Sequence, residues 1–177
     1  MQHGRERLRR MTRIAISAAI ISICAILAIP LVPGVPLTLQ TFGVVLCASV
    51  LMPTEAIGAV LIYLLLGAAG LPVFSAMRGG VSVLFGPTGG FLLGLLPLAL
   101  FGGLAKKQSV RPVFLGVGLL CCHALGWIWL YHFGTYIPEG GWLAGVAGYY
   151  IKDFVTGYFA CLLGKRVRNG MDAQAAP

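Results

Sequence analysis

Residues 14–32 read IAISAAIISICAILAIPLV and directly follow the basic segment RERLRRMTR at 5–13. A membrane-spanning helix needs about 20 predominantly apolar residues, so this stretch predicts a first span over 13–32. Signal peptides also place an apolar core after basic residues. Because this apolar run is longer than a typical signal-peptide core and no A-x-A-like cleavage site closes it, we interpret it as a span.

The composition of the whole chain is typical of a membrane protein. Of its 177 residues, 58% are hydrophobic and 10% are charged, which lies far outside the range of globular proteins. We predict an all-α membrane protein with a basic cytoplasmic N-terminal segment at 1–12, a six-helix transmembrane domain at 13–166 and a cytoplasmic tail at 167–177. The predicted spans cover 13–32, 38–52, 55–71, 88–105, 112–133 and 142–164. The second and third are short, so either neighbouring helices shield them or the bilayer is locally thinner around them.

The basic residues predict the orientation of these spans. All but two of the 13 Lys and Arg residues lie in three clusters at the ends of spans, and six spans with cytoplasmic ends place every cluster on the cytoplasmic side. The clusters are Arg5, Arg7, Arg9, Arg10 and Arg13; Lys106, Lys107 and Arg111; and Lys165, Arg166 and Arg168. Topology thus explains the net charge of +8, and we expect no nucleic-acid partner. Only Arg78 and Lys152 remain, and both are predicted to be functional.

The sequence lacks the motifs of several enzyme classes. No G-x-x-x-x-G-K-[ST] loop is present, so the chain is not expected to hydrolyse ATP. It also has no H-E-x-x-H motif, no G-x-S-x-G motif and no paired carboxylates within its spans, so we predict that it is not an enzyme. Cys121, Cys122 and His123 are adjacent and would point in different directions on a helix, so we expect no metal or other cofactor.

Lys152 and Asp153 lie inside the last predicted span. Each charge costs on the order of 2.5–3.5 kcal/mol in a membrane, so each needs a partner or a wet cavity. Because adjacent helical residues point about 100° apart, we expect that the two cannot simply neutralise each other and that at least one faces a cavity. Alternatively, Lys152 extends toward the outer surface and Asp153 caps a half-helix.

Two outer connections carry further candidate ligand-binding residues. The proline-stiffened segment at 33–41 offers the hydroxyls of Thr38 and Thr41 and the amide of Gln40, which can both donate to and accept from a urea-like ligand. An ordinary turn with a hydrated Gln40 is the alternative. The glycine-rich connection at 70–91 includes Thr88 and Gly89 and allows close approach of backbone N–H groups to a ligand.

Arg78 is the only cation of the 70–91 connection. It would attract an anionic ligand, or it is a solvated loop arginine. Several aromatic residues at the outer ends of the last two spans predict an interfacial belt, of which one or two rings could wall a pocket. They are Trp127, Trp129, Tyr131, Tyr136, Trp142, Tyr149 and Tyr150.

The first span also carries small residues at helical spacing. Ala15 and Ala19, with Ala18 and Ser22 on the adjoining face, form a surface at its cytoplasmic end. Because small residues let helix backbones approach closely in a membrane, this surface could dock a partner helix.

Three motifs in order resemble the BioY family, the biotin-binding S components of energy-coupling factor (ECF) transporters. They are VPLTLQT at 35–41, YLLLGAAGLPVF at 63–74 and GPTGGF at 86–91, followed by Asp153 in the last span. The resemblance extends from about Arg13 to Arg166. It implies a six-helix ECF S-component fold in a prokaryotic cell membrane, biotin as the ligand, and as partners a transmembrane T component and two ABC-type ATPases. Ala15 and Ala19 match the Ala-rich face that contacts the T component in this family.

The chain departs from the family pattern at one position. The family usually has a Lys three residues after the Asp of the last helix, whereas this chain has Thr156. With biotin as the ligand, we predict that its ureido group binds Asp153 and Gln40. Its carboxylate would bind Arg78, which we favour slightly, or Lys152, or stay partly hydrated. A self-contained secondary transporter or channel with Asp153 as a proton site is the alternative, although the two halves of the chain show no repeat.

Overall fold

The computed structural model describes residues 2–32, 35–105, 107, 109–133 and 141–175. Helices dominate these ranges, as predicted. In chain order the elements are α1 (Gln2–Ile26), β1 (Ala28–Val32), β2 (Val35–Thr38), α2 (Gln40–Val50), α3 (Pro53–Ala68), a 3-10 turn (Ser75–Met77), α4 (Val81–Leu84), α5 (Gly89–Leu104), α6 (Arg111–His132) and α7 (Gly141–Ala175).

The short helix α2 occupies the middle of the bundle, where it packs against α1, α5 and α7. Most of its residues are buried. A helix of 11 residues is marginal alone, so packing on several sides supplies the stability that its length does not. Of the two alternatives for the short second span, this agrees with shielding by neighbouring helices.

Helices α5 and α6 make the closest helix pair. A Cβ atom at Gly94 would lie only 2.7 Å from the Cα atom of Cys122, and one at Gly90 would lie 2.5 Å from the carbonyl oxygen of Leu125. Glycine at these positions therefore permits direct backbone contact between the two helices.

A β-hairpin corrects the predicted bounds of the first span. α1 ends at Ile26, and the following residues pair as antiparallel strands through Ala28 with Thr38 and Ile29 with Leu37. The prediction of one helix over 13–32 was therefore wrong in its last turns. Pro30 has no backbone N–H for a helical hydrogen bond and disfavours helical geometry in the residue before it, which explains the switch from helix to strand.

The helices beyond the hairpin follow the predicted order of spans. α7 continues past 164 to Ala175, and α1 starts within the basic segment. Among the described residues, only Arg111–His132 is both long and apolar enough to cross a membrane by itself, while α2, α3 and α5 are shorter apolar helices. The number of crossings therefore stays a prediction.

Polar contacts of two arginines stabilise the end of the bundle that lies opposite the hairpin. Arg13 of α1 lies 2.7 Å from the carboxylate of buried Glu55 in α3. Buried Arg111 donates to the carbonyl oxygens of Ala105, Cys161 and Ser49 and so links α5, α7 and α2. These two members of the basic clusters make structural contacts in addition to any effect on topology.

Candidate ligand-binding site

A cavity of about 620 Å³, its open mouth included, lies between the hairpin end of the bundle and helices α2, α5, α6 and α7. Its walls combine apolar side chains with a few convergent polar groups, the usual composition of a small-molecule site. It is lined by Thr38, Gln40, Thr41, Phe74, Ser75, Val83, Thr88, Phe91, Leu92, Leu95, Cys122, His123, Tyr149, Lys152 and Asp153.

Asp153 is the central polar residue of this cavity and is only 4% exposed. The Thr41 hydroxyl donates to its Oδ1 atom across 2.5 Å, and Nε2 of His123 lies 3.0 Å from its Oδ2 atom. The Lys152 ammonium group also pairs with Oδ1. A buried carboxylate needs such partners, and here they come from three different helices, α2, α6 and α7.

Lys152 contacts two elements at once. Its Nζ atom pairs with Asp153 and donates to the backbone carbonyl of Thr38 across 2.8 Å. The expectation that Lys152 and Asp153 cannot neutralise each other was therefore wrong. Adjacent Cβ atoms do diverge, but the flexible four-carbon stem of lysine carries its charge back to the neighbouring carboxylate. The same side chain ties the end of β2 to α7.

Gln40 is the first residue of α2, and Thr88 directly precedes α5. Both line the cavity. Gln40 is buried, and its backbone N–H donates to the Thr38 hydroxyl across 3.4 Å. The structure thus brings Thr38, Gln40, Thr88, Lys152 and Asp153 into one cavity.

Gly89 is placed differently from its prediction as a ligand contact. A Cβ atom there would lie 1.8 Å from the carbonyl oxygen of Leu84. The indole N–H of Trp129 donates to Gly86 across 3.0 Å. The close approach that glycine permits at this position is therefore to α4, and Gly89 is outside the described lining of the cavity.

Arg78 also lies outside the described lining of the cavity, but it contacts Ser75, which is part of that lining. Its side chain is exposed and donates to the backbone carbonyl and to the hydroxyl of Ser75, both across 3.2 Å. Ser75 itself lines the cavity. Arg78 is therefore held next to the site but does not form its wall.

The connection that carries Arg78 is anchored by Phe74. This ring is fully buried against Gly67, where a Cβ atom would lie 2.0 Å from it, and packs edge-on against Tyr63 at 5.4 Å. Ala76 and Met77 both have φ of 57°, a conformation that non-glycine residues rarely adopt. The burial of Phe74 and the backbone pairing of Phe74 with Arg78 hold this part of the cavity wall in place.

Aromatic rings form part of the cavity wall. Phe91 and Tyr149 line it, and Phe91 packs edge-on against His123 and Trp127 at 6.0 and 5.6 Å. Of the predicted belt residues, Tyr149 thus walls the pocket. Tyr136 and the side chain of Trp142 lie outside the described residues.

The contacts of Thr41 and His123 with Asp153 were not predicted from the sequence. Thr41 was a candidate hydroxyl of the 33–41 connection, but its link to Asp153 could not be read from spacing. His123 was considered only as a metal ligand, and the described residues hold no group of three or more potential metal-ligating side chains. The available signal was a lone ionisable residue within an apolar span, which by itself suggests function.

The predicted small-residue surface of α1 divides into two faces. Ala18 and Ser22 are buried inside the bundle, and the Ser22 hydroxyl donates to the Ala18 carbonyl across 2.8 Å. Ala15 and Ala19 are exposed. Only the second pair is therefore accessible to another protein.

Comparisons with known proteins agree with this architecture. A family model described as the BioY family matches residues 1–173. A relative from Pyrococcus horikoshii, named probable biotin transporter BioY, is 33% identical over 92% of this chain and 98% of its own length. The biotin transporter BioY of Rhodobacter capsulatus is 41% identical over 86% and 91% of the two chains.

The fold also matches a solved structure. The crystal structure of the S-component for biotin from an ECF-type ABC transporter has a TM-score of 0.82 and 25% sequence identity, with 93% of each chain covered. The predicted all-α fold class is confirmed.

Proposed function

This chain belongs to the BioY family, and we propose that it binds biotin for uptake as the S component of an ECF-type ABC transporter. As a member of a transporter family it is a membrane protein and not an enzyme, which confirms both predictions. One observation carries the proposal for the site: a buried carboxylate, Asp153, lies at the centre of a largely apolar cavity of suitable composition.

Asp153 has capacity left for a ligand. An ionised carboxylate offers about four acceptor positions, and Thr41, His123 and Lys152 occupy three of them. A ureido N–H of biotin takes the remaining position. Gln40, which lines the same cavity, donates its amide N–H to the ureido carbonyl.

The carboxylate of biotin lies toward Arg78. The Lys152 ammonium group contacts Asp153, so it is at the ureido end of the site, whereas the valerate chain holds the ligand carboxylate at the opposite end of the molecule. Arg78 is bonded to Ser75 at the wall of the cavity. Arg78 is thus held beside the cavity by a residue of its wall and does not pair with Asp153 in the part of the chain that the structure describes, which supports the role that Thr156 cannot take.

Assembly with the energising subunits is proposed through α1. We place a transmembrane T component on the exposed face of Ala15 and Ala19, with two ABC-type ATPases supplying the ATP hydrolysis for which this chain has no P-loop. The chain crosses the prokaryotic cell membrane six times with both termini in the cytoplasm. Biotin is cargo, and no cofactor takes part.

Reconstitution tests this function directly. Purified protein is expected to bind one biotin per chain. Proteoliposomes that also contain a T component and both ATPases, with the ATPases facing the lumen, should accumulate external biotin when ATP is enclosed in the lumen. Failure of the purified chain to bind biotin would refute the proposal. Uptake by the chain alone, driven by a proton gradient, would instead establish a secondary transporter.

A further inference from the structure

A second groove lies at the end of the bundle opposite the hairpin. It has a volume of about 730 Å³, its open mouth included, and shares no lining residue with the ligand cavity. Three helices line it: α1 with Arg13, Ile16, Ser17 and Ile20, the end of α2 with Leu46, Cys47, Val50 and Leu51, and α7 with Val167 and Met171. All of these side chains except Arg13 and Ser17 are apolar, so the groove fits an apolar occupant.

The groove exists because α1 and α7 both pack against α2 but make few or no contacts with each other among the described residues. The last turns of α2 therefore form its floor, and the two long helices form its walls. Ile16, Val167 and Met171 are exposed along these walls. In a membrane protein, an apolar groove on the outside of the bundle is accessible to the acyl chains of the bilayer.

Positive charge lies at one end of the groove. Arg13 lines it, and its side chain is 42% exposed although it pairs with Glu55. Arg9 precedes Arg13 by four residues and so lies on the same face of α1. It is exposed and pairs with no carboxylate among the described residues. On the other wall, Arg168 is exposed three residues before Met171. The groove therefore combines apolar walls with a cationic end.

We propose that this groove binds one acidic phospholipid of the surrounding leaflet, with an acyl chain along the apolar walls and the phosphate at Arg13 and Arg9. The proposed topology makes this the cytoplasmic leaflet. At 1.5 Å per residue, Arg13 and Ile20 are about 10 Å apart along the axis of α1, so the groove holds the part of an acyl chain next to the headgroup. Basic pockets between membrane helices bind anionic headgroups in this way.

The groove lies on a different side of α1 from the surface proposed for the T component. Because successive helical residues are about 100° apart, Ala15 lies about 160° around the helix from Arg13. Neither Ala15 nor Ala19 lines the groove. The lipid therefore leaves the Ala15–Ala19 face free, and by filling the space between α1 and α7 it stabilises the folded chain.

Two substitutions fill the groove from different sides. Ile16→Trp changes the α1 wall, and Val50→Trp changes the floor. Ile23→Trp is the matched control, because Ile23 is exposed on the same helix but lies outside the lining of the groove. Ile16 is also exposed, so Ile16→Trp leaves the core packing intact and decides the test if Val50→Trp unfolds.

A second pair of variants tests the charge. Arg9→Gln removes a cation at the end of the groove, and Arg7→Gln removes the same charge from another side of α1, since two helical residues are about 200° apart. Arg13 is left unchanged because it pairs with the buried carboxylate of Glu55. One basic residue near an anionic lipid is worth about fivefold in affinity, so Arg9→Gln should lower the preference for acidic lipid by about that factor.

Native mass spectrometry measures the number and class of bound lipids directly. The protein is stripped of lipid in detergent and equilibrated with equal amounts of phosphatidylglycerol and phosphatidylcholine. The wild type, Ile23→Trp and Arg7→Gln should each retain one phosphatidylglycerol per chain, whereas Ile16→Trp and Val50→Trp should lose it. In thermal unfolding, phosphatidylglycerol should raise the melting temperature of the wild type but not that of the two groove variants.

Several results would overturn the proposal. They are equal retention of the two lipids by the wild type, unchanged retention in Ile16→Trp, and equal losses in Arg7→Gln and Arg9→Gln. If the complex with the T component carries no phosphatidylglycerol and Ile16→Trp fails to bind that component, the groove is a protein-docking surface instead. None of these measurements uses biotin, so failure of the proposed biotin function leaves this inference standing, and the reverse also holds.

Discussion

The hydroxyl of Thr41, at the start of α2, donates to the carboxylate of Asp153 in α7 across 2.5 Å. The two residues are 112 positions apart in the chain, and their contact joins two helices at the wall of the ligand cavity. The same hydrogen bond therefore joins α2 to α7 and fixes the position of the carboxylate at the cavity wall.

Replacing Thr41 with valine keeps the shape of the side chain and removes its donor. Because hydrogen bonds to charged groups are worth about 1.5–3 kcal/mol, Thr41→Val is expected to lower biotin affinity by at least about tenfold in calorimetry. Thr156→Val is the matched control, since the Thr156 hydroxyl bonds only carbonyls of its own helix among the described residues. Equal losses for the two variants would contradict an orienting role for Thr41.

Lys152→Met should destabilise the protein itself. The change leaves the buried carboxylate of Asp153 without its cation and releases the carbonyl of Thr38. Because the Lys152 side chain is 22% exposed, we expect a loss of about 3 kcal/mol in the free energy of unfolding, at the low end for a buried ion pair. Denaturation in detergent measures this loss. The double variant Lys152→Met/Asp153→Asn should recover part of it, and Lys165→Met, at an exposed position, should have almost no effect. No recovery in the double variant would argue against the ion pair as the cause.

Arg78→Gln should weaken the binding of the ligand carboxylate. An exposed charge beside the cavity contributes modestly, so we expect biotin affinity to fall about tenfold or less, with a smaller difference at high salt. Biotin methyl ester, which has no carboxylate, should bind the wild type and Arg78→Gln equally. Arg168→Gln, at the far end of α7, is the matched control. An ester that loses as much affinity as biotin would place the carboxylate elsewhere.

Ala15→Trp and Ala19→Trp test the docking face of α1. Both positions are exposed and outside the described lining of the cavity, so these variants should bind biotin normally. The indole ring prevents close approach of a partner helix, and pull-down of the T component should fail. Val113→Trp, exposed on α6, controls for a bulky residue on the surface. Normal recovery of the T component with both α1 variants would rule out this face.

Hydropathy predicted the order of the long helices, but it could not find the hairpin. The residues from Ala28 to Val32 continue the apolar run of α1, and a short apolar run does not distinguish helix from strand. Pro30 was the local signal, and pairing with Val35–Thr38 determines the outcome. That pairing is a contact between segments, which periodicity within one segment does not contain.

The sequence identified the polar residues that line the cavity, but it did not predict contacts that depend on how the helices pack. Asp153, Lys152 and Gln40 were identifiable as polar residues in apolar surroundings, and they do line the cavity. His123 contacts Asp153 because α6 and α7 pack in one particular rotation, which a single sequence does not specify. Reasoning from Cβ directions also failed for Lys152, because it neglected the length of the side chain.

The most direct test of the account compares ligands for the wild-type protein by calorimetry. Desthiobiotin retains the ureido group and should bind, whereas a tetrahydrothiophene valerate without the ureido ring should bind about 3 kcal/mol more weakly, roughly a hundredfold, because it offers no N–H to the Asp153 carboxylate. Equal affinity of the two ligands would contradict the assignment of Asp153 as the residue that recognises biotin.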